Sequence, residues 1–151
     1  MRFLGNIEAK TDAKGRAFLP AVFRKVLQAS GEETLVLRKD VFQKCLVLYP
    51  ESVWNARLDM LKAQLRPWKQ QHQQMFRQFV SEAEALTLDG NGRFLISKRL
   101  LKAAGIGQEI QFIGMDDTVE IWAPQHLEEI LKSEEEFGAD FENIMNADNT
   151  L

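Results

Sequence analysis

A single cysteine, Cys45, stands in this chain of 151 residues, with only two histidines, His72 and His126. One cysteine cannot close an internal disulfide, and so few soft ligands exclude a Cys/His zinc site. No run of about 18 apolar residues occurs, so no transmembrane helix is expected. Met1 to Lys10 lacks the charged start and apolar stretch of a signal peptide, which makes the cytoplasm the expected location. Catalytic signatures are missing too: there is no G-x-S-x-G, no phosphate-binding Gly-Lys-Ser/Thr loop and no H-E-x-x-H. Cys45 leads into the apolar run Leu46-Val47-Leu48 and reads as a core residue. The expectation is therefore a non-enzyme with no cofactor and no metal.

Charge is present but unevenly spread. The net charge is −3, yet Glu134, Glu135, Glu136, Asp140, Glu142 and Asp148 crowd a tail from Ser133 to Leu151 that holds no Lys or Arg. Setting those six acids aside leaves 16 acidic against 19 basic residues in 1–132, a net of +3. A mildly basic body is compatible with a polyanionic partner. The tail is expected to be a solvated, poorly ordered end, with a partner contact or intramolecular DNA mimicry as the alternatives.

The body repeats itself. Asp12-Ala13-Lys14-Gly15-Arg16 leads into Ala17-Phe18-Leu19-Pro20, and 77 positions on Asp89-Gly90-Asn91-Gly92-Arg93 leads into Phe94-Leu95-Ile96-Ser97. Each D-x-x-G-R is followed by a short helix, Ala21 to Ala29 or Lys98 to Ala104, that stops at Gly31 or Gly105, where a left-handed residue suits a helix end. Two strands follow in each copy: Thr34–Leu37 with Cys45–Tyr49, and Glu109–Ile113 with Thr118–Trp122. A strand precedes each loop, Phe3 to Lys10 or Glu84 to Leu88, the second with weak strand formers. A unit of about 45 residues buries too little surface to stand alone, so the two copies are expected to complete one another around a pseudo-two-fold axis.

Between the copies, Trp54, Leu58, Leu61 and Leu65 recur at four, three and four residues, one face of a helix. Pro67 breaks that run, and a second helix carrying Met75, Phe76 and Phe79 follows. The pair reads as a connector and packing layer that leaves Trp54, Trp68, Phe76 and Phe79 available to an oligomer contact. His72, among glutamines, and His126 read as solvated side chains.

The doubled loops are the candidate functional feature. Their tips carry Lys14 and Arg16 in one copy, Asn91 and Arg93 in the other, with Lys10 and Arg2 near the first. An arginine fork matches guanine O6/N7 or a phosphate, and Asn pairs with adenine N6/N7. Gly15 and Gly92 permit a positive φ or a close backbone approach. Asp12 and Asp89 read as turn-forming carboxylates that bond turn amides or their own arginine, a reading preferred over a catalytic carboxylate pair. Within the loops alone, the arginines either bridge only those carboxylates or present their forks to nucleic acid. Repetition across a two-fold favours the second, because duplex DNA is itself a repeating two-fold object.

Phe3-Leu4-Gly5, Thr11 to Pro20, Cys45 to Trp54 (C-L-V-L-Y-P-E-S-V-W) and Leu88 to Ile96 (L-D-G-N-G-R-F-L-I) together resemble the MraZ family over roughly residues 3–132. The resemblance implies an α+β fold of two tandem AbrB/SpoVT-like swapped-hairpin units forming a pseudo-two-fold β core, with helices packed outside. The units would be 6–53 and 83–126, with a helical connector at 54–82 and a C-terminal helix and acidic tail at 127–151. It also implies a sequence-specific DNA-binding transcriptional regulator, a repressor, of the division and cell-wall gene cluster including its own operon. Expected partners are double-stranded DNA, at short direct repeats in the promoter region, and further copies of the chain in a ring-shaped homo-oligomer, with no membrane; the location is cytoplasmic and nucleoid-associated. DNA-contacting residues would be Lys10, Lys14, Arg16, Asn91 and Arg93, with Asp12, Gly15, Asp89 and Gly92 shaping the turns. Ser97 departs from the family pattern where Pro20 stands in the first copy, which bears on a helix start. The alternatives are a ring-forming structural or interaction protein, or an antitoxin-like module, without operator-specific binding. Two fused units and a long helical pair count against an antitoxin.

Overall fold

The computed structural model describes residues 1–147. Asp148, the last acid of the tail, lies outside the described residues. The first repeat supplies β1 (Asn6–Lys10), β2 (Arg16–Phe18), α1 (Ala21–Ser30), β3 (Thr34–Lys39) and β4 (Leu46–Pro50). Helices α2 (Glu51–Gln64) and α3 (Gln70–Ser81) follow. The second repeat gives β5 (Glu84–Thr87), β6 (Arg93–Leu95), α4 (Lys98–Ala103), β7 (Glu109–Met115) and β8 (Thr118–Trp122), and the chain continues through α5 (Pro124–Ile130) and α6 (Glu134–Ala147).

The expected two-unit β core with helices outside is borne out, and its strands are exchanged between the units. A six-stranded antiparallel sheet runs β1-β7-β8-β4-β3-β5, and β2 and β6 form a separate two-stranded ribbon. Thus β1 of the first repeat pairs with β7 of the second, while β5 of the second pairs with β3 of the first. The pseudo-dyad can be placed on the register. Ala17 faces Phe94 in the ribbon, and these are equivalent positions of the two repeats. Val47 faces Glu120 where β4 meets β8, again equivalent positions. Each half therefore satisfies its backbone groups with the other half, which is why a single repeat is not an independent unit.

The alternation of period two decides which side chains meet. Leu35, Leu37, Leu46, Leu48, Ile110, Phe112, Val119 and Ile121, all buried, point to one face of the sheet. Ala17 and Phe94 from the ribbon, Phe23 and Leu27 from α1 and Leu100 from α4 join them in one cluster. Phe3 and Phe23 pack edge to face at 5.7 Å, fixing the N-terminus to α1.

Over β3 and β4 the opposite face is covered by the connector, and over β7 and β8 Trp122 and Ile113 pack with Leu127 of α5. Trp54 sits edge-on to Tyr49 at 5.2 Å and stacks on Phe79 at 5.3 Å with an interplanar angle of 3°. Buried Arg38 lies 4.4 Å from the Phe79 ring centroid, donates to the Phe79 carbonyl at 2.9 Å and pairs with Glu82 at 3.3 Å. Trp54 and Phe79 are thus consumed within the chain; of the aromatic side chains expected to stay available, Trp68 is 82% exposed and Phe76 is half-buried. His72 also differs from its expectation: half-buried, its Nδ1 accepts from the Arg66 amide at 3.0 Å across the Pro67 break. His126 is half-buried as well, with its Nδ1 3.7 Å from the Glu129 carboxylate.

Cys45 is fully buried beside Trp122 and Leu127, and burial pushes its thiol above the ordinary range. Over its described part the tail differs from a poorly ordered end, because residues 134–147 form α6. Ser133 Oγ accepts from the Glu136 amide at 3.2 Å, the Ser-x-x-Glu spacing of a capping box, and three acids in the first turn complement the helix dipole.

Candidate nucleic-acid interface

The two D-x-x-G-R loops are superimposable in their bonding. In the first, the Asp12 amide donates to the Arg16 carbonyl at 2.8 Å and the Gly15 amide to the Asp12 carbonyl at 3.0 Å. In the second, the Asp89 amide donates to the Arg93 carbonyl at 2.8 Å and the Gly92 amide to the Asp89 carbonyl at 3.0 Å. Asp12 Oδ1 accepts the amides of Lys14 and Arg16, both at 2.9 Å, and Asp89 Oδ1 accepts those of Asn91 and Arg93, both at 2.9 Å. The other carboxylate oxygen takes the arginine Nε, at 2.8 Å for Arg16 and 2.9 Å for Arg93. The backbone amides of Arg16 and Arg93 are the main cause that holds both carboxyls below the usual carboxylate range, with the remaining turn amides and the guanidinium bonds adding to it against desolvation. The turns are therefore clamped while the carboxylates are ionised.

This geometry settles how each arginine divides its donors. Only Nε is used by the aspartate, and the terminal nitrogens of Arg16 and Arg93 have no hydrogen-bond partner among the described residues. The guanidinium is held in orientation at its inner edge and keeps its outer edge for something else.

Gly15 (φ +89°) and Gly92 (φ +82°) both occupy the left-handed region, and each is pressed against the opposite repeat. The Ile96 amide donates to the Gly15 carbonyl at 2.9 Å, and the Leu19 amide to the Gly92 carbonyl at 3.0 Å. A Cβ on Gly15 would lie 2.8 Å from the Ile96 carbonyl oxygen; one on Gly92 would lie 2.5 Å from the guanidinium of Arg24. Arg24 donates to the Leu19 carbonyl at 3.0 Å and so acts as a strut behind the second turn.

The ribbon joins the two turns into one surface. Arg16 stands opposite Leu95, and Phe18 opposite Arg93. With Ala17 and Phe94 turned into the core, these four side chains share the outer face. Phe18 and Leu95 are 55% and 56% exposed, and the Arg93 guanidinium lies 5.7 Å from the Phe18 ring centroid. Lys14 and Asn91 are exposed at the turn tips. Lys10 is also exposed but sits on β1 across from Glu109, on the strand leading into the turn rather than on the ribbon. Phe18 and Leu95 were not among the residues expected at the site. Their signal was available as matched exposed positions in the alternation R-A-F and R-F-L, at the offset that relates the arginines.

The second copy starts its helix differently, as the exchange of Pro20 for Ser97 suggests. Ser97 Oγ accepts from the Leu100 amide at 3.3 Å, whereas Pro20 opens α1 with no side-chain cap. The start changes its chemistry while the turn beside it does not.

Comparison with known proteins agrees with the doubling. Residues 2–78 and 79–147 each match the model of one family, described as "MraZ protein, putative antitoxin-like". The chain is similar to a protein named Transcriptional regulator MraZ from Phocaeicola vulgatus, 58% identical over 151 residues, which is 100% of this chain and 98% of that one. It is 57% identical over 149 residues to the protein of the same name from Bacteroides thetaiotaomicron, covering 99% of this chain and 96% of the relative. With the Bacteroides fragilis protein it shares 56% identity over 145 residues, 96% of this chain and 92% of the other.

Proposed function

The chain belongs to the MraZ family, and on that footing we propose that it is a sequence-specific DNA-binding transcriptional regulator. The observation that carries this reading is the pair of identical Asp-clamped turns, each presenting an arginine on one ribbon that crosses the pseudo-dyad. A two-stranded ribbon fits the major groove of B-DNA. Arg16 and Arg93 read guanine edges with their terminal nitrogens, and Asp12 and Asp89 hold them in the reading orientation. Lys14 and Asn91 contact bases or backbone beside them, and Lys10 contacts phosphate. Phe18 and Leu95, exposed between the arginines, supply apolar contact of the kind that thymine methyl groups accept.

Residues 6–53 and 83–126 are the two units of the reader in this account, 54–82 the connector, and 127–151 a C-terminal extension. The target is a set of short direct repeats upstream of the operon that encodes the chain, in the division and cell-wall gene cluster. One chain offers few basic tips, so several copies in a ring would add modest contacts through effective concentration. An assembly lying across a promoter represses by occlusion. Such a protein works in the cytoplasm at the nucleoid. The test is a gel shift with the upstream region of its own operon against a scrambled duplex at one salt concentration. Retention of the first at protein concentrations that leave the second free is expected; equal affinity for both contradicts the reading.

A further inference from the structure

Helix α6 is a regular helix that buries none of its side chains against the rest of the described residues. It is capped by Ser133 and tethered by an ion pair between Lys132 and Asp140, yet none of its residues is buried. Phe137, Phe141, Ile144 and Met145 are 64%, 57%, 70% and 56% exposed. Their spacing of four, three and one places them on a single helical face, and Phe137 and Phe141 already touch at a centroid distance of 6.2 Å. Around that stripe the helix carries Glu134, Glu135, Glu136, Asp140 and Glu142 and no basic residue.

The complementary surface lies in the connector. Where α2 turns into α3, a groove of about 210 Å³ has Leu65, Pro67 and Phe76 in its apolar lining and Lys62 and Arg66 among its polar residues, with no acid. Exposed Trp68 and Met60 lie near it in sequence, at 82% and 67% exposure. An acidic helix with an aromatic and aliphatic stripe matches an apolar groove edged by cations in both shape class and charge.

We infer that α6 of one copy of the chain docks in the α2–α3 groove of a second copy. This deepens, and rests on, the self-assembly in the proposed function. The groove and the helix are different surfaces, so each copy gives one and receives one. That is a heterologous, head-to-tail contact, which closes into a ring when the rotation between copies permits. An anionic lipid surface and a DNA backbone are both disfavoured as occupants of α6, because five carboxylates face them with like charge.

The experiment uses the 151-residue chain and two charge-reversed forms, one with Lys62→Glu and Arg66→Glu, the other with Glu134→Lys, Glu135→Lys and Glu142→Lys. Masses are measured by light scattering at micromolar concentration, with far-UV circular dichroism as the check on folding. The wild type is expected to be larger than a dimer, and each variant alone to fall to half the wild-type mass or less. Mixed in equal amounts, the variants regain complementary pairs in both directions and return to the wild-type mass. Should a reversed form fail to fold, Phe141→Ser with Ile144→Ser, on exposed positions, must lower the mass in the same way. A monomeric wild type overturns the assembly and this contact together. A large wild type whose variants keep full mass, or whose mixture stays small, overturns the contact alone.

Discussion

Gly15 and Gly92 are equivalent by sequence, yet replacing each with alanine should have unequal cost. Both sit at positive φ, +89° and +82°, so each substitution carries roughly 1–2 kcal/mol of backbone strain. What the new methyl group meets is different. At Gly15 it would lie 2.8 Å from the carbonyl oxygen of Ile96 and 3.2 Å from Leu101 Cδ1. The carbonyl is backbone and cannot step aside without disturbing the bond from the Ile96 amide to the Gly15 carbonyl, which is 2.9 Å long. Loss of such a bond costs about 1 kcal/mol. Gly15→Ala should therefore lose roughly 2–3 kcal/mol, a fall in Tm of roughly 4–12 °C for a chain of this size. At Gly92 the obstacle is the flexible end of Arg24, half-buried and able to rotate away. Arg24 can shift and still reach the Leu19 carbonyl or water, so only the backbone strain is lost and Gly92→Ala should be milder by about 1 kcal/mol. Urea unfolding of both variants at one fixed protein concentration measures the difference. Equal losses, or a Gly92→Ala variant less stable than Gly15→Ala, would refute the assignment of Ile96 as a rigid neighbour.

Three more expectations follow from the packing and charge. Trp54→Ala removes the ring held between Tyr49 and Phe79 and should cost roughly 3–5 kcal/mol in chemical denaturation; a loss below about 1 kcal/mol would show that the connector is not seated on the sheet. Glu120 stands on the pseudo-dyad, where burial raises its carboxyl above the ordinary glutamate range despite the Trp122 indole bond at 2.9 Å. The folded state then holds its proton more tightly than the unfolded state, so this group's contribution to stability rises as pH falls through the raised value and levels off below the ordinary glutamate range. Glu120→Gln should accordingly raise Tm at neutral pH and remove that part of the slope; an unchanged pH profile would contradict it. Lys10→Ala should weaken cognate and scrambled DNA alike and reduce the salt slope of binding by about one phosphate, read by titration at several salt concentrations; an effect confined to the cognate duplex would assign Lys10 to base reading instead.

Much of this architecture was legible because a repeat shows its own symmetry. Asp12 to Arg16 and Asp89 to Arg93 marked the two turns, and the matched order of elements predicted two halves that complete each other. The alternation in Leu35-Val36-Leu37 and Leu46-Val47-Leu48 is less readable, since a sheet covered on both faces shows continuous apolar runs. The exchange of β1 and β5 between halves could not be read from local pattern, because pairing partners are set by tertiary closure. Trp54 and Phe79 sit on faces of two different helices, and only their contacts with Tyr49 and buried Arg38 reveal that both faces lie on the sheet. At the tail, acidic composition outweighed the local signal of Ser133 and Glu136 and the spacing of Phe137, Phe141 and Ile144, which together specify a capped amphipathic helix. On the ribbon, attention to hydrogen-bonding side chains singled out both arginines and passed over Phe18 and Leu95, whose place on the same outer face depends on strand alternation rather than on chemical type.

The proposed reading face stands or falls with the outer edge of Arg16. Substituting Arg16→Ala leaves Asp12 with the amides of residues 14 and 16, so the turn keeps its backbone bonds, and the variant should fold and assemble as the wild type does. Its affinity for the upstream duplex should fall by roughly 1–3 kcal/mol for each base that Arg16 reads, and the margin over a scrambled duplex should shrink with it. Both proteins are to be titrated against both duplexes at one salt concentration, with circular dichroism and light scattering on the same samples. If Arg16→Ala, folded and assembled, binds the operator with wild-type affinity and selectivity, the clamped turn is a structural device and the DNA site lies elsewhere.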